Sequence, residues 1–128
     1  MIRVICLLAA LVFTSNAEAG KVELVLEFDN LGAMKGQHYE GWNILNGKPY
    51  STGRFSVDSK GRVYSVDKNG KALMKIGRNG VATFDVDKKQ LYSSVFVLTI
   101  EPNGDSDAGP SDVHVFGGDY NKGIASLS

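Results

Sequence analysis

From Lys21 onward the apolar residues of this chain recur at every second position. In "KVELVLEF", Val22, Leu24, Leu26 and Phe28 alternate with Lys21, Glu23, Val25 and Glu27. Successive side chains of an extended strand point to opposite faces, so a period of two with one polar face marks a strand buried on one side. The alternation returns in "KPYSTGRFSV", where Gly53, Phe55 and Val57 oppose Thr52, Arg54 and Ser56. It returns again in "VATFDVD", with Ala82, Phe84 and Val86 inward. A helix needs apolar residues three and four apart, and no stretch shows that spacing convincingly. Only "VDKKQLYSS" leaves room for a single helical turn.

Turn residues mark where the strands stop. Asn46-Gly47 follows "HYEGWNIL" and suits a type I′ hairpin, whose two central residues both need positive φ. "VDSKGRV", "VDKNGKA" and "IGRNGVA" begin at Val57, Val66 and Ile76, each bringing a glycine shortly after an apolar strand end. This rhythm predicts a meander of short strands. "SSVFVLTIEP" is apolar on both faces, with Phe96, Leu98 and Ile100 on one and Val95, Val97 and Thr99 on the other, as a central strand requires. Pro49 lacks an amide hydrogen and belongs near the start of its strand or on an edge. The expected fold is all-β: an antiparallel, immunoglobulin-like β-sandwich of about seven or eight short strands. Trp42 is its expected core anchor, with Phe55, Phe96 and Leu98 beside it.

The first residues read differently. Arg3 is a short basic start, Val4 to Phe13 an apolar run, and Ala17-Glu18-Ala19 an A-x-A cleavage signal. That layout predicts a secretory signal peptide over 1–19, cut after Ala19, and one domain over 20–128. The apolar run of about ten residues falls short of the ~18 to 20 needed to span a bilayer, so no stable membrane anchor is expected after cleavage. Localisation is therefore expected to be periplasmic or secreted. The only cysteine, Cys6, leaves with the leader, which excludes disulfides, Cys-ligated zinc and thiol chemistry from the processed domain. Basic and acidic residues balance at 14 each, so no charge excess points to nucleic acid or an anionic membrane surface.

"EPNGDSDAGPSDVHVFGG" tests the idea of an enzyme. Gly104-Asp105-Ser106, with Asp112 and His114 close behind, has the look of a GDS-type serine esterase motif. Such a serine needs a base and an oxyanion donor pair on a rigid frame, usually where a strand turns into a helix. Here the segment joins two strands and is made of turn residues. The separate Gly and Asn blocks of those hydrolases are missing, and D-x-H stands in place of D-x-x-H. The reading is a turn, with no catalytic residue. The same loop offers Asp105, Asp107 and Asp112 as candidate calcium ligands, since calcium takes six to eight oxygens, often from clustered carboxylates. Its spacing departs from an EF-hand, because Gly109 and Pro110 fall where further ligands belong. His38 and Glu40 share one strand face and could join His114 in a two-histidine, one-carboxylate metal site. The plainer reading is a strand-edge histidine with a carboxylate partner. Tyr39, Tyr50, Tyr64, Tyr92 and Tyr120 are dispersed, which suits packing better than a stacking platform.

Three blocks in order carry a resemblance. His38 to Val57 holds Tyr39, the Gly41-Trp42 pair, Gly47 and Ser51-Thr52-Gly53-Arg54-Phe55. Ser93 to Ser111 holds Thr99-Ile100-Glu101-Pro102, an acidic loop and Pro110-Ser111, and Val115 to Tyr120 closes with Gly117-Gly118-Asp119-Tyr120. Together they resemble the extracytoplasmic C-terminal domain of anti-sigma-K factors (the RskA type), and its relatives that stand alone behind a signal peptide. The resemblance implies a β-sandwich outside the inner membrane, with the acidic loop joining two strands. The family's cytoplasmic sigma-binding part and transmembrane helix have no counterpart here, so sequestering a sigma factor does not carry over.

The expected function is a non-enzymatic, exported binding or sensor-like module whose partner is a protein or another envelope component. Two other readings stand beside it. One is a structural or adhesive subunit that self-associates through strand edges, "KVELVLEF" above all. The other is a calcium-binding surface domain built on the Asp105 to Asp112 loop.

Overall fold

Ten antiparallel strands make up nearly all the regular structure of the computed structural model, which describes residues 2–7, 20–104 and 109–128. They are β1 (Ile2–Leu7), β2 (Lys21–Glu27), β3 (Gln37–Leu45), β4 (Lys48–Val57), β5 (Arg62–Val66), β6 (Ala72–Arg78), β7 (Val81–Asp87), β8 (Val95–Pro102), β9 (His114–Asn121) and β10 (Ile124–Leu127). Among the described residues the one helical turn is a 3-10 segment, Lys88–Tyr92, opened by the Asp87 carboxylate, which accepts from the Lys89 amide.

The turns follow their chemistry. Asn46 and Gly47 both take positive φ, 52° and 77°, as a type I′ hairpin demands, and Asn79-Gly80 repeats the arrangement between β6 and β7. The two intervening turns are locked by aspartates. Asp58 Oδ1 accepts from the amides of Lys60 and Arg62, and Asp67 Oδ1 accepts from those of Asn69 and Lys71, all at 2.9 Å. An aspartate binding its own backbone in this way holds a turn without help from the core. The result is the meander β4–β5–β6–β7.

The expected split into two facing layers is not what the strands form. Residues 21–127 make one continuous curled sheet in the order β10-β9-β8-β3-β4-β5-β6-β7-β2, and β1 bonds both β2 and β10 to close the ring. Alternating burial is common to a sandwich and a curled sheet, because each strand turns one face inward in both. The difference lies at β7 and β2, which pair from Lys21↔Asp87 to Glu27↔Val81 where a sandwich would break. Register shifts at Gly41/Trp42, in β5–β6 and in β8–β9 supply the local bends that a curled sheet needs.

Val22, Leu24 and Leu26 of β2, Ala82, Phe84 and Val86 of β7, and Phe96 and Leu98 of β8 enclose the main core. Phe55 sits at its centre, fully buried, with ring centroids at 5.3 Å from Tyr39, 5.6 Å from Phe84 and 6.3 Å from Phe28. Trp42 is buried too, but it belongs to the opposite face of β3 from Tyr39, outside this cluster. Its β8 neighbour in register is Val97, not Leu98. Gly41 is what lets β3 approach the core closely: a Cβ there would lie 2.9 Å from Phe96 Cζ and collide with Thr52 Oγ1.

Two substitutions test this packing by denaturant unfolding. Phe55→Ala should cost about 3 to 5 kcal/mol through the cavity it opens. Gly41→Ala, which adds one methyl group, should still cost about 1 to 3 kcal/mol by overpacking.

Candidate functional site

Strand β3 is buried on both faces from His38 to Trp42. Its even-numbered residues form a polar layer outside the core. Antiparallel register sets His38 across from Glu101 and Glu40 across from Thr99 on β8, while Arg54 lies beside Glu40 on β4. His38, Glu40, Thr99 and Glu101 are all at most 3 % exposed. Buried polar groups of this kind persist only where partners meet them.

The partners are specific. The Trp42 indole Nε1–H donates to Thr99 Oγ1 at 3.0 Å, and the Thr99 hydroxyl donates to the Glu101 carboxylate. The same Glu101 oxygen accepts from the Ser111 amide at 2.8 Å, while the Ser111 hydroxyl donates to the Ile100 carbonyl at 2.6 Å. His38 Nδ1 donates to Asn103 Oδ1 at 2.8 Å, and the Asn103 amide donates to the Gly36 carbonyl at 2.9 Å. The Gly104 amide reaches the Lys68 carbonyl in the β5–β6 turn. The layer therefore ties down both ends of the segment between β8 and β9. Glu40 accepts from the Ser51 hydroxyl at 2.5 Å and lies 3.4 Å from Arg54 Nε. His38 Nε2 is buried with no hydrogen-bond partner among the described residues.

Burial is the main force on Glu40, and it raises the pKa above the ordinary carboxylate value. The Ser51 hydrogen bond and the charges of Arg54 and His38 work the other way, while the charge of Glu101 adds to the rise. Chemically, the layer fixes the described ends of the segment between β8 and β9. Its carboxylates spend their lone pairs on protein donors, and no three described His, Cys, Asp or Glu side chains converge on a point that could hold a metal ion.

The residues singled out from sequence fall in different places. His38 and Glu40 lie on an interior strand, not at an edge, and the histidine's partner is the Asn103 amide group instead of a carboxylate. His114 is exposed on β9, in register with Thr99 and one strand further from β3. Asp105, Ser106 and Asp107 lie outside the described residues. Asp112 is exposed and its carbonyl accepts from the His114 amide. It borders an open hollow of about 470 Å³, between Gln37, Ile100 and Pro102 on one side and Pro110 to Val113 on the other. Glu101 and Thr99, the β8 neighbours of His38 and Glu40 in register, were missed, as was Asn103, which bonds His38. The available signal was that "HYEGW" read against "FVLTIE" in antiparallel register brings these polar residues face to face.

A second surface stands apart. On β6, Leu73 and Met74 are each 64 % exposed although they are chain neighbours, so both faces of the strand meet solvent there. Only Gly77 and Arg78 of β6 pair with β7.

No family model, no curated protein and no solved structure matches the chain.

The buried carboxylate gives a pH test. Because the folded pKa of Glu40 exceeds the unfolded one, the native state binds more protons in the interval between the two values. Its contribution is greatest at acid pH and is lost as pH rises through the folded value. Melting of the native protein should therefore fall from the ordinary glutamate value of 4.5 upward, and Glu40→Gln should flatten that fall in melts recorded from about pH 4 to about pH 8. Separately, Glu101→Ala strips the acceptor from Thr99 and Ser111 and should cost about 1 to 3 kcal/mol. Hydrogen exchange at the Ser111 amide should accelerate in the same variant.

Proposed function

We propose that this protein is an exported, non-enzymatic binding module that presents the segment between β8 and β9 to a protein or another envelope component. One observation carries the reading: three buried ionisable side chains, His38, Glu40 and Glu101, form the polar layer that holds Asn103 and Ser111, on either side of the segment between β8 and β9. Burying such groups costs stability, and loops held rigidly by a scaffold are where recognition concentrates. The hollow beside Asp112 and the exposed pair Leu73 and Met74 supply further contact area. Export rests on the leader pattern at 1–19, and periplasmic or secreted residence goes with it.

Kinship with the anti-sigma-K extracytoplasmic domains belongs to the same proposal. It is supported by where the three resemblance blocks fall: His38 to Val57 spans β3 and β4, Ser93 to Ser111 carries β8 and its loop, and Val115 to Tyr120 lies in β9. These strands are neighbours in the order β9-β8-β3-β4, so the blocks form one patch around the polar layer. The family's two-layer sandwich would have to be reached here by a curled single sheet. Calcium binding by Asp105, Asp107 and Asp112 remains the alternative role of the same loop.

Photo-crosslinking in the producing cell tests the module. A photoreactive residue at Asp112 should give a discrete adduct that weakens in the Glu101→Ala background, while a probe at exposed Lys60 on the β4–β5 turn should give none. Equal labelling from both positions, or ester hydrolysis lost on Ser106→Ala, would refute the proposal. A calcium-dependent rise in melting temperature that vanishes when the three aspartates become alanine would replace it with the metal reading.

A further inference from the structure

Strand β1 lies between two strands that share no ladder of their own. It pairs antiparallel with β2 from Arg3↔Glu27 to Leu7↔Glu23, and with β10 from Ile2↔Leu127 to Ile5↔Ile124. All of β1 falls inside the leader expected to be removed. Processing would therefore bare the edge of β2 over seven residues and that of β10 over four. A bare edge strand is a template for another strand, and the longer one is the stronger template.

The sequence of β1 shows what fits that template. Across from Glu27, Leu26, Val25, Leu24 and Glu23 stand Arg3, Val4, Ile5, Cys6 and Leu7. β2 itself, laid antiparallel on a second β2 with Leu24 facing Leu24, offers Lys21, Val22, Glu23, Leu24 and Val25 to the same five positions. A cation meets Glu27 in both cases, valine meets Leu26 in both, and an apolar residue meets Leu24 and Glu23 in both. The register is also symmetric. Lys21 faces Glu27 at each end, Val22 faces Leu26, and the core-facing residues of both copies stay on one side of the joined sheet. Such an isologous arrangement closes on itself about a two-fold axis.

We infer that β1 is a stand-in for β2 of a second copy: the leader covers the β2 edge, and its removal lets two processed chains pair through β2 into a two-fold dimer. The inference rests on the proposed export and cleavage. It goes beyond that reading by naming the partner, the register and the event that permits pairing.

The test uses the full chain made two ways. Cell-free synthesis without membranes keeps residues 1–19, and expression in a secreting host yields the processed protein, whose mass reports the cleavage. Light scattering after size exclusion should find the unprocessed chain monomeric and the processed chain dimeric. Glu27→Lys alone and Lys21→Glu alone should each weaken the dimer about tenfold, since like charges then face each other at both ends. Mixing the two variants should restore association as a heterodimer, in which every facing pair is again opposite in charge. Circular dichroism of each variant checks that the fold survives. A synthetic peptide of residues 2–7 should dissociate the processed dimer. A processed chain that stays monomeric at high concentration, or a dimer indifferent to the charge reversals, overturns the inference and leaves export standing. A purified exported protein whose mass still includes residues 1–19 sinks the inference together with the cleavage on which it rests.

Discussion

The double-sided burial of β3 is the constraint on which the rest of the molecule depends. Its odd-numbered residues enter the core, where Tyr39 stacks on Phe55 and Gly41 makes room for Phe96. Its even-numbered residues enter a polar layer that lies outside that core. One nine-residue strand thus divides the molecule into an apolar interior and a hydrogen-bonded exterior. Both halves need β8 alongside, because Leu98 serves the first and Thr99 and Glu101 the second. The two strands pair over eight positions, among the longest ladders of the sheet.

The two regions obey different physics. Dispersion and the hydrophobic effect hold the core, and they tolerate swaps of similar volume. The outer layer works through directed bonds, and removing one partner strands the others in a place water does not reach. Asn43 brings some of the same chemistry into the core-facing row, where it donates to Gln90 and accepts from the Tyr120 hydroxyl. That contact fastens the 3-10 turn and β9 to the end of β3.

Much of this was legible in the residues themselves. Alternation located β2, β4 and β7 and their inward faces, and Asn46-Gly47 and the aspartate turns fixed where the meander reverses. The 3-10 turn after Asp87 could also be seen. All of these are local, set by pleat and by backbone chemistry within a few residues. The closure of the sheet was not legible, because β7 meets β2 across some sixty residues of chain and alternation says nothing of which strand comes next. Trp42 was expected as the anchor of the core. Its position in β3, three residues from Tyr39, assigns it to the other face, where its indole N–H finds Thr99. The role of His38 and Glu40 was hidden for the same reason, since Asn103, Ser111 and Thr99 are distant in sequence.

The way β3 is enclosed also sets the order of assembly. The meander from Lys48 to Asp87 joins only neighbours, and its turns are specified on the spot. β3 gains its second flank only when Val95 to Pro102 arrive, some fifty residues later. Pairings of that span are slow, because the loop must close before any bond rewards it. During synthesis the aromatic centre around Phe55 consequently stays unsealed until the last third of the polypeptide is available.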